Sequence, residues 1–445
     1  MDTEQPDSLD PAWLEAGRIP KSSYLSNSFL ELESRRLWPR VWQMACRSEE
    51  IPNHGDFVVY DVMDESIIVL RSGDRIRAFH NVCPHRGRRI ADGSGRVTGL
   101  SCRFHGWKWA LDGKNREVID REDWNGGLCD SDVGLRPVHV DCWGGFVFVN
   151  MAEDPEPLLE FLKPVPEYLD PFEIERMRYR WYVSIEVACN WKVAIEAFNE
   201  GYHVQTTHHY ILKCMDDRTK CVVHGKHGQF GYWEDRLQVG VPSQRLRREA
   251  PTDIRHGLIE LVRQQARDVQ AIYTERDYES AQRLLTEVPA DASPFEVLAK
   301  LVQFNKEAAE ASGAGWPPIT PEQMVRAGVD WHIFPNLVTL PYADGSLWYR
   351  ALPKSGDPDR CIFEIYSLQR YAPGAAPPLT RRYFRDWRDF TDMPPFLIDD
   401  FENMPQVQRG MHSRGFVASR PNPLQEETVL NFHRALNEYL TSDRR

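Results

Sequence analysis

Two short turns constrain this chain more than any other feature. Cys83-Pro84-His85-Arg86-Gly87 is followed downstream by Cys102-Arg103-Phe104-His105-Gly106-Trp107. The pattern is Cys-x-His, sixteen residues, then Cys-x-x-His. Two thiolates and two imidazoles on two β-turns can hold a tetrahedral zinc or an iron–sulfur cluster. A pair of unligated Cys/His turns, each beside a glycine, would need two coincidences at once, and is the poorer explanation.

Zinc is the main rival. Structural zinc sites more often take two cysteines or two histidines from one turn, whereas each turn here supplies one of each. That mixed pairing suits a Rieske [2Fe–2S] centre, with Cys83 and Cys102 on one iron and His85 and His105 on the other. Neutral imidazoles in place of two thiolates lower the negative charge on the cluster and raise its potential. The other seven of the nine cysteines (Cys46, Cys129, Cys142, Cys189, Cys214, Cys221 and Cys361) have no partner at ligand spacing. An odd number scattered through a long chain argues against a disulfide framework.

The setting of the two turns is β-rich. Phe57–Tyr60, Ser66–Leu70, Ile76–Phe79, Trp107–Trp109 and Gly145–Asn150 are short strand-like runs split by turn residues, which predicts a small all-β sandwich over about 40–150. Residues 1–39 read as a tail and one helix. Prolines 155, 157, 164, 166 and 171 mark 151–175 as a linker. From 176 to 445 strand-like and helical runs alternate, which predicts a larger α+β domain. Within it, about 245–315 is a charged helical insertion containing an amphipathic run from Ile254 to Leu285. At 445 residues there is ample length for such domains. The balance of 54 Lys plus Arg against 66 Asp plus Glu, net −12, argues against nucleic acid as a partner. No apolar stretch is long enough to span a membrane, and the polar start lacks a signal-peptide core, so a cytoplasmic location is the expectation.

A Rieske cluster moves single electrons and makes no bonds, so the rest of the chain either idles or receives them. The receiver is sought in Asn199-Glu200-Gly201-Tyr202-His203-Val204-Gln205-Thr206-Thr207-His208-His209. Two histidines and a carboxylate form the facial triad of non-haem Fe(II) oxygenases, which leaves positions open for oxygen and substrate. A helix is predicted over 190–203. It must end or bulge before His208, since a five-residue gap does not stack two ligands on a regular helix; Thr206-Thr207 is the expected break.

Both motifs, their order, the linker and Asp330-Trp331-His332-Ile333-Phe334-Pro335-Asn336 resemble the Rieske non-haem iron oxygenases, the terminal oxygenase (alpha) subunits of ring-hydroxylating systems. The resemblance covers nearly the whole chain. It implies a Rieske domain followed by a helix-grip-like catalytic domain with a central antiparallel sheet, holding a [2Fe–2S] cluster and a mononuclear Fe(II). It implies His203 and His208 as iron ligands, with His208 preferred over His209 by spacing. Asp399-Asp400-Phe401-Glu402-Asn403 is similar to the segment whose second Asp completes the site, which selects Asp400 over Asp399. Glu200, an aspartate in most of the family, then becomes the bridge between the two metal sites, accepting hydrogen bonds from His203 and, across a trimer interface, from His105. Phe198 is the one pocket residue nominated. Electrons would come from NAD(P)H through a separate reductase, with or without a ferredoxin, and a beta subunit is compatible. The implied reaction is mono- or dihydroxylation of an aromatic or other apolar ring with O2. N- or O-demethylation is the alternative, favoured by Glu200, and a Rieske carrier without oxygen chemistry is the reading from another class.

Overall fold

The computed structural model describes residues 9–233, 237–249 and 251–442, which form two compact units. One is built mainly from Leu32–Phe161; the other combines Leu162–Thr441 with the chain up to Glu31.

In the first unit, β-branched runs between tight turns build a seven-stranded sheet. Its spatial order is Gln43–Arg47, Phe146–Asn150, Pro137–Trp143, Arg75–His80, Glu65–Ser72, Asp56–Val62 and Ser94–Arg96. Every pairing is antiparallel. A second antiparallel sheet of three short strands, Leu100–Ser101, Lys108–Trp109 and Asn115–Glu117, carries the second metal-ligand turn between its first two strands. Phe57, Ile68, Phe79, Trp107 and Trp109 share one apolar core with the thiols of Cys83 and Cys102. The buried Trp109 indole N–H donates to the Val133 carbonyl at 2.6 Å, so the ring is sunk without an orphaned donor.

The second unit is an eight-stranded sheet in the order Lys220–His224, His227–Gly231, Asp330–Ile333, Leu337–Pro341, Gly345–Lys354, Asp357–Gln369, Arg178–Val187 and Arg381–Phe384. Only the last pair, at the edge, is parallel. Arg350 and Glu364 face each other on adjacent strands as a buried ion pair, and Glu364 also accepts from the Tyr182 and Tyr366 hydroxyls at 2.7 and 2.5 Å. Removing one member of such a pair costs roughly 3–5 kcal/mol, because the other is left charged and dry. Helices Trp191–Glu196, Pro395–Met411 and Glu427–Thr441 cover one face of the sheet.

Two helix predictions are corrected. The run over 190–203 gives only Trp191–Glu196, capped by the Asn190 side chain, before the chain leaves the helix. The run from Ile254 to Leu285 gives Arg255–Arg263, a wider turn through Val269, and then separate helices Glu275–Ala281 and Leu284–Glu287. Gln270, at φ 55°, stops the first stretch, because a left-handed residue cannot continue a right-handed helix. Its carbonyl accepts from the Trp181 indole and the Ser367 hydroxyl, so sheet residues hold the break. These helices and Pro294–Ala311 bury their own core of Ile254, Leu258, Val262, Leu284, Leu301 and Phe304. No described helix is long and apolar enough to cross a membrane.

Candidate metal centres and the cavity beside them

Each upstream ligand turn is closed by the chain itself. The Gly87 N–H donates to the Cys83 carbonyl at 2.9 Å, and the Gly106 N–H to the Cys102 carbonyl at 3.0 Å. Both glycines sit at positive φ, +75° and +72°, where a side chain would be strained. The two turns bring the His85 and His105 rings to 4.5 Å between centroids, and His85 stacks on Trp107 at 5.0 Å. Burial pushes the Cys83 thiol up, while the backbone N–H groups of His85 and Arg86 pull the other way by facing the sulfur. Both sulfurs are buried, and the His85 Nδ1 is buried without a protein partner. Two buried sulfurs and two imidazoles side by side are a donor set that fits a Rieske cluster.

The downstream site begins where the helix stops. Glu200 Oε2 accepts from the backbone N–H groups of Tyr202 and His203, which turns the chain out of the helical path. Gly201 sits against Thr219, where a Cβ would lie 2.7 Å from Oγ1, so no larger residue fits that turn unchanged. A single helical turn, Val204–Thr207, follows, and His208 caps its end; Thr206 and Thr207 are themselves helical, so the break expected there falls earlier, between Glu196 and Val204. His208 is fully buried and His203 is half-buried, whereas His209 is exposed.

The third component comes from the Pro395–Met411 helix, which grips His208 from one face. Phe396, Asp399 and Asp400 lie at i, i+3 and i+4. Phe396 stacks on the imidazole at 3.9 Å, Asp399 Oδ2 is 3.3 Å from His208 Nδ1, and Asp400 Oδ1 is 3.2 Å from His208 Nε2. Asp400 Oδ1 is also 3.7 Å from His203 Nε2, while His203 Nδ1 is 2.6 Å from Glu200 Oε1. Each imidazole thus has its Nδ1 held by a carboxylate, which keeps a proton there and turns the Nε2 atoms toward one point, where a metal would take the lone pair. Burial by itself would push His203 down; Glu200, and then Asp400, more than reverse this and hold it at about 9.

His203, His208 and Asp400 have ligand atoms within 4.8 Å of one another. His208 Nε2 and Asp400 Oδ2 are buried with no hydrogen-bond partner, which is what a bound cation would satisfy. The donor set fits a non-haem iron. Asp399 is 34% exposed and faces the far nitrogen of His208, so the structure brings Asp400 and not Asp399 to the common point. The Gln408 side chain accepts from the Asn190 N–H at 3.0 Å, which locks this helix to the start of Trp191–Glu196.

A cavity of about 230 Å³ adjoins the triad through His203 and Phe396. Phe198 is part of its wall, packed on Tyr349 at 4.2 Å. Sequence reasoning missed Tyr349, Phe230, Tyr273 and Tyr342, which also line it. Their only signal was alternation along strands and loops that also carry ordinary core. Asp399 as a support for His208 was missed too, although the adjacent acidic pair hinted at two roles.

Comparison with known proteins places the chain. Residues 174–442 match the profile described as ring hydroxylating alpha subunit (catalytic domain), and residues 41–123 match the Rieske [2Fe-2S] domain. The chain belongs to the ring-hydroxylating alpha-subunit family, whose two domains imply a Rieske cluster and a mononuclear iron. It is 30% identical over 199 residues to the glycine betaine monooxygenase oxygenase subunit of Pseudomonas aeruginosa, covering 44% of this chain and 46% of that protein, less than half its length. Its fold is that of the quaternary ammonium Rieske monooxygenase CntA solved with L-carnitine, at TM-score 0.64 and 17% identity over 97% and 99% of the two chains. Naphthalene 1,2-dioxygenase from Rhodococcus sp., solved with indole, is similar at TM-score 0.63 and 18% identity over 98% of each.

Proposed function

We propose that this chain is the terminal oxygenase of a multicomponent Rieske system, inserting oxygen from O2 into a C–H bond of a small organic substrate. Cys83 and Cys102 hold one iron of the cluster, His85 and His105 the other, and His203, His208 and Asp400 hold the mononuclear iron. The observation carrying this reading is the convergence of those last three side chains beside an apolar cavity. Three protein ligands leave coordination positions open, and the bound iron would supply O2 activation there with electrons passed from the cluster.

The protein's own part is orientation and exclusion of water. Glu200 and Asp399 fix the ligand imidazoles, Phe396 covers His208, and the aromatic wall keeps the reacting carbon dry. In a trimer, Glu200 would also accept from His105 of the partner subunit, so one carboxylate would tie the cluster of one subunit to the iron of the next. The support on this chain is that Glu200 already holds His203, and that His105 lies beside Phe104, which is 53% exposed. Electrons come from NAD(P)H through a separate reductase, with a ferredoxin where the system uses one. Nine cysteines, an odd number scattered through the chain, suit a cytoplasmic location.

Of the two substrate classes, N-methyl compounds now lead and apolar rings follow. Glu200 in place of aspartate and the quaternary-ammonium enzymes among the similar proteins favour the former. The cavity, below the ~300–1,000 Å³ usual for drug-sized ligands, favours a small substrate in either case. Hydroxylation of an N-methyl group would consume O2, two electrons and two protons, give water and a hydroxymethylamine, and release formaldehyde as that adduct breaks down. The test is reconstitution with a surrogate reductase and a panel of methylamines and small arenes. Formaldehyde and a product lighter by one CH2 support demethylation, and gain of one or two oxygens on a ring supports ring hydroxylation. A protein carrying both metals that oxidises neither class would end the proposal.

A further inference from the structure

Among the described residues, Asp330 is the one carboxyl in the cavity wall that no protein group answers. Glu200 is held by His203 and two backbone N–H groups, and Asp217 accepts from the Ser243 hydroxyl and pairs with Arg245 at 2.6 Å. Both oxygens of Asp330 are buried without a hydrogen-bond partner, and the residue is 1% exposed. Its place on the strand Asp330–Ile333 aims it at the cavity. Phe230, its register partner on one neighbouring strand, and Leu340 on the other are themselves wall residues. Such a position wants an apolar side chain, since a buried polar group without a partner is costly. Burial first, then the nearby Glu200 carboxylate, raises the Asp330 carboxyl well above its usual range, so it keeps its proton until a cation enters beside it and becomes a carboxylate only then.

The cavity that Asp330 lines carries aromatic rings among its aliphatic side chains: Phe230 beside Asp330 on the neighbouring strand, and Phe198, Tyr232, Tyr273, Tyr342 and Tyr349 elsewhere in the wall. Aromatic faces attract quaternary ammonium groups, which have no N–H to donate and are held by charge and ring quadrupoles together. No described residue lining the cavity is a lysine or arginine, so none of them offers a fixed cation to a substrate carboxylate. Among the described residues of the wall, the other unanswered polar atoms are neutral: the hydroxyls of Thr219 and Tyr349 and the amide oxygen of Gln265. They suit a neutral hydroxyl on the ligand.

We infer that Asp330 is the specificity-determining residue of the substrate site, and that it selects a small N-methylated organic cation bearing no carboxylate, with an alcohol end in place of an acid. This rests on the oxygenase reading of the cavity, and deepens it by choosing among N-methyl compounds.

The test is equilibrium binding to the metal-loaded protein without reductant, using choline, its neutral carbon isostere 3,3-dimethyl-1-butanol, and glycine betaine. Choline should bind at least about tenfold more tightly than either of the others, the scale of a desolvated cation–aromatic contact. Asp330→Asn should erase the preference for choline over the isostere while iron content and the cluster spectrum stay unchanged. Asp330→Glu should keep it, which controls for damage to the fold. Equal binding of choline and the isostere, tighter binding of glycine betaine, no binding of choline, or an Asn variant that still discriminates would each overturn the inference. Failure of the oxygenase reading would show elsewhere, as missing metals or absent turnover with every substrate.

Discussion

In the Leu32–Phe161 unit, all four candidate cluster ligands lie on two neighbouring turns closed by their own backbone hydrogen bonds. In the other unit, two histidines from a broken helix meet an aspartate from a helix far down the chain, with eight strands formed in between or alongside. The first site needs little more than its own loops and the core beneath them. The second exists only after the sheet has brought its helices together. The difference teaches where each site is fragile: the cluster site at its ligands, the triad at its supports as well.

The largest effects should separate the sites cleanly. Asp400→Ala is expected to lose the mononuclear iron and about 10³-fold or more in turnover, the several kcal/mol a catalytic metal supplies, with the cluster's visible and EPR spectra intact. Cys102→Ser should do the reverse, abolishing the spectra while His203, His208 and Asp400 still take up one iron. Full iron retention in Asp400→Ala would remove Asp400 from the site.

Glu200→Gln tests the link between them. Both metals should stay bound, yet coupled turnover should fall by roughly 100-fold, the upper end for an outer carboxylate, and slow re-oxidation of the reduced cluster should report it. Wild-type rates would sink the bridging role. Asp399→Asn should be milder, about tenfold in iron affinity, because its contact to His208 is longer than that of Glu200 to His203, 3.3 against 2.6 Å. Equal losses from the two would mean that the imidazoles share one support.

A pH dependence spreads its effect more gradually. In the metal-free protein His203 is protonated below about 9, and a ligand imidazole must be neutral, so iron binding has to release that proton. Iron affinity should therefore rise by about tenfold per pH unit between pH 6.5 and 8.5, by titration of the metal-free protein. Glu200→Gln should flatten the slope by removing the charge that holds the proton. A pH-independent affinity in the wild type would contradict the placement of Glu200 against His203.

Cys83, His85, Cys102 and His105 were legible because one local pattern holds both the ligands and the glycines their turns require. His203 and His208 were legible only as a spacing, and the helix expected over 190–203 is cut short by the Glu200 side chain capping the turn that follows. In the sequence only resemblance selects Asp400 over Asp399; helical phase explains the pair, since i+3 and i+4 from Phe396 reach opposite nitrogens of one imidazole. The long run from Ile254 carried the right periodicity but not its break at Gln270, whose carbonyl is held by Trp181 and Ser367 from the sheet.

By itself, then, the sequence determined the cluster turns, the β-rich and α+β divisions, and the family, because those depend on residue type at short spacing. Only the tertiary structure decided which carboxylate meets the two histidines, which aromatics wall the cavity, and that Asp330 stands in it unanswered. Those depend on which strand lies beside which and on the phase of a helix, and neither is written in the local spacing of the residues concerned.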